Sequence, residues 1–383
     1  MLPGRKGFNV SSRSSQIHLE KSTSPTIFDR ELTERPEIIE GLIREGQLAI
    51  LVGTYGLGKS PLVQDLCLHL AFGEPWCGRK LEQRPVLYFD FESPAVVVKS
   101  NIERLAARKG FPVPNPDEIK FFLEHDEGRS SPSTASLHAA LRKGRAGCMS
   151  LLRLSLFRSR NALIVIDPLD SMFPIDKRLG LEVLHLYYQL RGLIEEFPEV
   201  SILTTFNLRK RDRKAACPDL LSNPRDFLSE VSGANELLTR SDVRLGMDFH
   251  PRNSDIRVLN GIRRGEDLHP LLLESVLAAG GLAGFEQITP EVSDLVDMLT
   301  PKQYSYWRLL PDAFTFEEAA RTVPKVTLKR ILDATSSLKA LHKSGNRWVK
   351  SELTHAPIPL SPVAPVVPSF RHSLAQGGKE NKK

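Results

Sequence analysis

The sequence of 383 residues predicts an α/β fold, a mostly parallel sheet wrapped by helices and followed by a small helix-rich unit. Three observations predict it. An apolar run at residues 48–52 (LAILV) leads into G-x-x-x-x-G-K-S, and residues 62–72 then carry apolar positions at helical spacing. Short apolar runs alternate with helical patterns from there to about residue 206, the signature of strand–helix–strand units and a parallel sheet. From about residue 299 the pattern turns helical, and from Lys325 to Lys350 seven basic residues face one acid, Asp333.

Composition narrows the classes. Apolar content is 41%, and no run approaches the roughly 20 residues that span a bilayer, so no membrane role is expected. The four cysteines (Cys67, Cys77, Cys148, Cys217) are scattered without a C-x-x-C pair. That argues against a disulfide framework or zinc site and fits a reducing cytoplasm. The formal net charge of +6 suits a polyanionic partner without requiring one.

Residues 1–34 read as a disordered basic arm, with Glu20 the only acid before residue 28. Residues 33–47 read as a lead-in covering the edge of the site. The stretch 35–275 reads as one α/β domain. In it, PVLYFDFES is a second strand with Ser93 capping the helix that follows, and EIKFFLEH is a third. Residues 126–140 read as an exposed loop, followed by a basic helix up to Arg160. ALIVID and VSILTTF are further strands, and DVRLGMDF with DIRVLNGI alternate like an antiparallel pair. Residues 276–298 read as a linker. Residues 299–352 read as three helices and a short strand, with a helix start near Thr327, in the shape of a winged helix-turn-helix. The proline-rich stretch 353–383 reads as a disordered tail.

The chemistry centres on Gly53, Thr54, Tyr55, Gly56, Leu57, Gly58, Lys59, Ser60 and Pro61. Glycines let the backbone wrap a phosphate chain so that successive N–H groups meet its oxygens. The following helix offers its positive end to the same anion. Lys59 is placed to reach the β- and γ-phosphates of ATP, and the Ser60 hydroxyl to ligate Mg²⁺. Pro61 is tolerated in a first helical turn. Asp167, closing an apolar strand, is the second candidate for ordering Mg²⁺, with Asp170 behind it. Glu92 closes the second strand on the same face as Asp90 and is the candidate base for the attacking water.

These three segments, GQLAILVGTYGLGKSPLVQDLCLHLAFGEPW, VLYFDFES and LIVIDPLDSMF, resemble in order and spacing the RecA-like P-loop ATPases typified by the RepA-type hexameric replicative helicases. The resemblance implies an ATPase of the P-loop class, ATP bound between subunits, a homo-oligomer of hexameric kind and single-stranded DNA as partner. In that family the strand after the Asp167-type strand ends in histidines followed by Arg-Lys. This chain has Phe206 and Asn207 there and keeps Arg209 and Lys210. Asn207 can still donate to a γ-phosphate oxygen. The cluster LRKRDRK divides between a cation reaching a neighbour's ATP, a DNA-facing loop and a solvated surface. Arg264, after the strand RVLNGI, divides between a finger acting in trans and a surface arginine. The expected function is Mg²⁺- and ATP-dependent motor action on DNA in replication or repair. The alternative is an ATP-gated DNA-binding regulator that turns over slowly.

Overall fold

The structure, a computed structural model, describes residues 34–126, 131–174, 180–208, 218–229, 235–264, 266–278, 281–338 and 340–350. The arm expected over 1–34 (Glu34 apart) and the tail over 353–383 lie outside the described residues, as do Arg209 and Lys210.

A ribbon of β1 (Glu37–Ile39) and β2 (Ile43–Arg44) leads into β3 (Leu48–Gly53), which is buried along its whole length. Helix α1 (Lys59–Phe72) follows, then β4 (Val86–Asp90), α2 (Ala95–Lys109) and β5 (Ile119–Leu123). A helical hairpin, α3 (Pro132–Arg142) and α4 (Gly144–Leu156), precedes β6 (Leu163–Asp167). Then come α5 (Leu169–Met172), α6 (Gly180–Glu196), β7 (Ser201–Asn207), α7 (Pro224–Ser229) and α8 (Asn235–Arg240).

Strands β3, β4, β5, β6 and β7 run parallel, in the order β3-β7-β6-β4-β5, and β5 forms one edge. On the other side of β3 lies β8 (Val243–His250), also parallel to it. The sheet then turns antiparallel through β9 (Asn253–Arg263), with β10 (Glu266–Asp267) on its flank, β11 (Leu271–Ala278) and β12 (Gly281–Gln287). Because side chains alternate along a strand, β3 feeds two cores. Leu48, Ile50 and Val52 face a core shared with α3, α4 and α6, while Ala49 and Leu51 face one shared with α1 and α2. Covering both faces is what permits near-continuous apolar runs in β3, β4 and β6.

The C-terminal elements are α9 (Pro290–Met298), α10 (Pro301–Leu309), β13 (Ala313–Phe314), α11 (Phe316–Ala319), α12 (Lys325–Ser337), β14 (Leu341–Ser344) and β15 (Arg347–Lys350). The three strands form a small sheet ordered β13-β15-β14. Tyr304, Trp307, Leu328 and Ile331 continue the core that includes Ile256, Val258 and Leu272, and Arg308 pairs with Glu274 of β11.

Several expectations need correction. The loop expected at 126–140 contains α3. Its Ser131 side chain accepts from the Thr134 amide, so the serines and proline that suggest a turn instead start a helix. The linker expected at 276–298 is instead the end of β11, β12 and α9. Pro94, not Ser93, occupies the position before α2, and α12 begins at Lys325 after Pro324 rather than near Thr327. The lead-in does not border the phosphate loop. Gly46 N–H donates to Val200 O and Ser201 Oγ to Arg44 O, which places it at the opposite ends of β3 and β7. Among the described residues no helix is long and apolar enough to cross a membrane.

Candidate functional site

Parallel pairing brings four strand ends together. Gly53 of β3 lies beside Asn207 of β7, and Asp90 of β4 beside Asp167 of β6. In open α/β sheets the crevice outside the carboxyl ends of the strands is where ligands bind.

The loop from Gly53 to Lys59 leaves β3 at this edge. Gly56 and Gly58 have φ of 83° and 95°, which side-chain-bearing residues adopt only with strain. A Cβ on Gly53 would meet Met247 O at 2.7 Å, and one on Gly58 would meet the Phe285 ring of β12 at 2.9 Å. Gly58 is therefore fixed by both close packing and conformation, Gly53 by close packing and Gly56 by conformation. Leu57 is buried, and its carbonyl accepts from Arg257 Nε of β9 at 3.1 Å. Sequence reasoning missed Arg257, because only the β8–β9 pairing carries it back to a loop 200 residues earlier. Tyr55 stands 81% exposed at the rim. No acid occupies the first turn of α1, so its N-terminal charge is free to meet an anion. Pro61 sits in that turn, and the Leu62 amide still donates to Gly58 O at 3.0 Å.

Lys59 is the hub. It is 7% exposed, and its ammonium donates to Gly53 O (2.9 Å), Thr54 O (3.0 Å) and Asn207 Oδ1 (2.8 Å). Burial lowers its pKa, and the charges of Asp167, Glu92 and Asp170 oppose that shift. The Asn207 amide nitrogen in turn donates to Glu92 Oε1 at 3.1 Å. One asparagine thus ties the lysine of the loop to the glutamate beyond β4. Burial and the charges of Asp167 and Asp170 raise the Glu92 pKa, while Lys59 and Asn207 pull it down.

Asp167 is buried, with Tyr88 Oη donating to Oδ2 at 2.7 Å and Thr205 Oγ1 donating to Oδ1. Asp90 does not stand with Glu92 as a second open acid. Its Oδ1 accepts from the amides of Glu92 (3.0 Å) and Ser93 (2.7 Å), while Oδ2 is buried without a hydrogen-bond partner. Burial, then the neighbouring Asp167, push its pKa up to about 6. A buried carboxylate oxygen with no donor, next to a second carboxylate, is suited to meet a cation or its water shell. The residues present therefore fit Mg²⁺ beside a phosphate chain, with Ser60 and Asp167 as the direct candidates and Asp90 behind them.

The Asp90 shift has a testable consequence. The folded carboxyl keeps its proton up to about pH 6, whereas an unfolded one releases it near 3.8. Its contribution to folding stability is therefore highest below about pH 4, where both states hold the proton, and falls as pH rises from there through 6. Asp90→Asn carries no such loss. In thermal melts without Mg²⁺, the variant should gain on the native chain progressively between pH 4 and 6.

Arg264 lies elsewhere. Its Nη2 donates to Arg240 O at 3.0 Å and its Nε lies 3.6 Å from Asp242 Oδ1, while the Asp242 amide donates to Leu48 O. That is the start of β3, five residues from Gly53, or roughly 17 Å along a strand. Arg264 therefore does not line the nucleotide crevice of its own chain. The neighbouring Arg263 pairs with Glu37 and Glu266.

A glycine-rich loop, a buried lysine, a strand-ending aspartate and a nearby glutamate on a parallel sheet define a P-loop nucleotide-binding domain. A family model described as an AAA domain matches residues 14–211, just over half of the chain. The chain belongs to this family of P-loop, AAA-type ATPases. No curated protein matches it. The family match ends before β8, so the antiparallel part of the sheet and the C-terminal elements lie outside it.

Proposed function

We propose that the chain is a Mg²⁺- and ATP-dependent RecA-like motor of the RepA-type helicase class, acting on DNA as a ring-forming homo-oligomer. The observation that carries the hydrolytic part is the Lys59–Asn207–Glu92 chain of hydrogen bonds at the crevice. When ATP is bound, Lys59 exchanges its carbonyl partners for the β- and γ-phosphates. Ser60 and Asp167 hold Mg²⁺, which supplies charge neutralisation on the transferred phosphoryl group. Glu92 takes the proton of the attacking water, and Asn207 keeps that carboxylate in place and can donate to a γ-phosphate oxygen.

The DNA part rests on charge and on the C-terminal elements. Helices α10, α11 and α12 with the β13-β15-β14 sheet have the element order of a winged helix, and Lys325, Lys329 and Arg330 are exposed on α12. In this reading Arg209 and Lys210 contact a neighbour's ATP or DNA, and Arg264, remote from its own crevice, serves the next subunit. The test is steady-state ATP hydrolysis with and without single-stranded DNA. Turnover should rise several-fold with DNA.

One feature favours a second reading, an ATP-gated DNA-binding regulator. The Asn207 side chain is already engaged at both ends, so sensing of the γ-phosphate competes with bonds to Lys59 and Glu92. Slow turnover indifferent to single strands, together with ATP-dependent affinity for a duplex, would select it.

A further inference from the structure

The described residues also form a concavity apart from the nucleotide crevice. A groove of about 730 Å³ lies at the far edge of the sheet, between the face of β4–β5 and the α3–α4 hairpin. That volume is within the range of ligand sites. Its floor is Leu87 and Phe122, and Phe122 stacks on Phe89 at 4.3 Å. Its helical wall is built from small residues such as Ser136, Ala146 and Gly147. Gly147 is where the two helices close up, since a Cβ there would lie 2.3 Å from Ala140 O.

Charge gives this groove a character that its shape alone lacks. From Arg129 to Ile166 the sequence has seven Lys and Arg and no acid. Two of these are neutralised within the chain, Arg145 by Glu182 at 3.9 Å and Arg153 by Glu196 at 2.7 Å. The three cations that line the groove are different. Lys120, Lys143 and Arg158 have no acid within ion-pair distance among the described residues, and Lys143 and Arg158 are exposed. Leu154 and Phe157 also line the groove and stand 65% and 55% exposed. Unneutralised cations along a trough with an exposed aromatic at its rim are what a single-stranded nucleic acid uses, phosphates on the cations and a base against the ring. An acidic peptide is also recognised through clustered cations, but it brings no base to stack on the exposed Phe157 ring. The groove presents the side-chain face of β4–β5, where Leu87 and Lys120 stand in register.

We infer that the β5–α3–α4 groove is a binding site for single-stranded nucleic acid, with Lys120, Lys143 and Arg158 as the phosphate contacts and Phe157 as the base platform. The inference rests on the reading that the chain acts on nucleic acid, and it adds a contact surface formed by residues other than those of the nucleotide crevice and the C-terminal elements.

The experiment measures binding of a fluorescent oligothymidylate to the full chain over a salt series, for the native protein and for Lys120→Ala/Lys143→Ala/Arg158→Ala. Binding of a fluorescent ATP analogue and the oligomeric state are measured alongside. The expected result is an affinity loss of roughly 10-fold or more and a salt slope shallower by about 2, with nucleotide binding and assembly unchanged. A single variant, Ser150→Cys carrying a photo-crosslinker on the exposed wall of the groove, should label the oligonucleotide. Equal affinity in the triple variant, with no crosslink, overturns the groove while leaving the nucleic-acid reading intact. A native chain that binds no oligothymidylate at all overturns both. Displacement of the oligonucleotide by polyglutamate at comparable concentration assigns the groove to an acidic protein segment. Loss of binding that tracks loss of assembly, with no crosslink, assigns it to contacts between copies of this chain.

Discussion

Glu92→Gln is expected to lower kcat for ATP hydrolysis by roughly 10²–10⁴-fold, the range for removing a general base, while leaving ATP affinity nearly unchanged. The separation follows from position. Glu92 lies beyond the end of β4 and makes its bond to the chain through Asn207, and it holds neither the loop nor Lys59 directly. Glutamine keeps an oxygen for the Asn207 amide and so keeps the geometry, but it cannot take a proton. Single-turnover hydrolysis set beside equilibrium binding of an ATP analogue distinguishes the two quantities. If affinity fell as steeply as kcat, Glu92 would be a positioning group for nucleotide rather than the base. The raised pKa of Glu92 adds a second readout. The acidic limb of the pH–rate profile should be displaced upward from that of an ordinary glutamate and should flatten in the variant.

The sequence made the strands of the crevice legible because each is a short apolar run bounded by loop signals. For β3, β4, β6 and β7 the burial that explains their composition is the burial observed. What it hid depends on residues far apart in the chain. The β11–β12 hairpin contains Ala278, Gly281, Ala283 and Gly284, a composition that reads as linker. Yet small residues are what let β12 approach α1 and α2. A Cβ on Gly284 would lie 2.9 Å from Leu105 and 3.2 Å from Arg108. Asp90 and Glu92 read alike by alternation, but the chain bends after Asp90, whose carboxylate then turns to cap its own bend. Arg257 carries no local signal at all, because its role on Leu57 exists only once β9 has folded back along β8.

Lys59→Ala is the broader lesion, since it should weaken both nucleotide binding and turnover. The ammonium fills the space between Gly53 O, Thr54 O and Asn207 Oδ1, and the charges of Asp167, Glu92 and Asp170 all act on it. Its removal does two things to the crevice. It takes away the point charge that neutralises the phosphates, an electrostatic contribution of the kind worth roughly 10²–10³-fold in kcat for a single donor. It also leaves the carboxylates without their internal counter-charge, so an incoming polyanion meets net repulsion. The carbonyls of Gly53 and Thr54 lose their donor as well, which loosens the loop that must present its amides. Nucleotide affinity should therefore fall by roughly 10-fold or more in the same variant, since one lost buried charged hydrogen bond is worth about 1.5–3 kcal/mol. Lys59→Arg separates charge from shape. Its wider guanidinium cannot replace an ammonium that meets three acceptors within 3.0 Å, so the charge is kept while the fit to the loop is lost. If Lys59→Arg retained native turnover, the charge alone would carry the function and the three-acceptor geometry would be incidental.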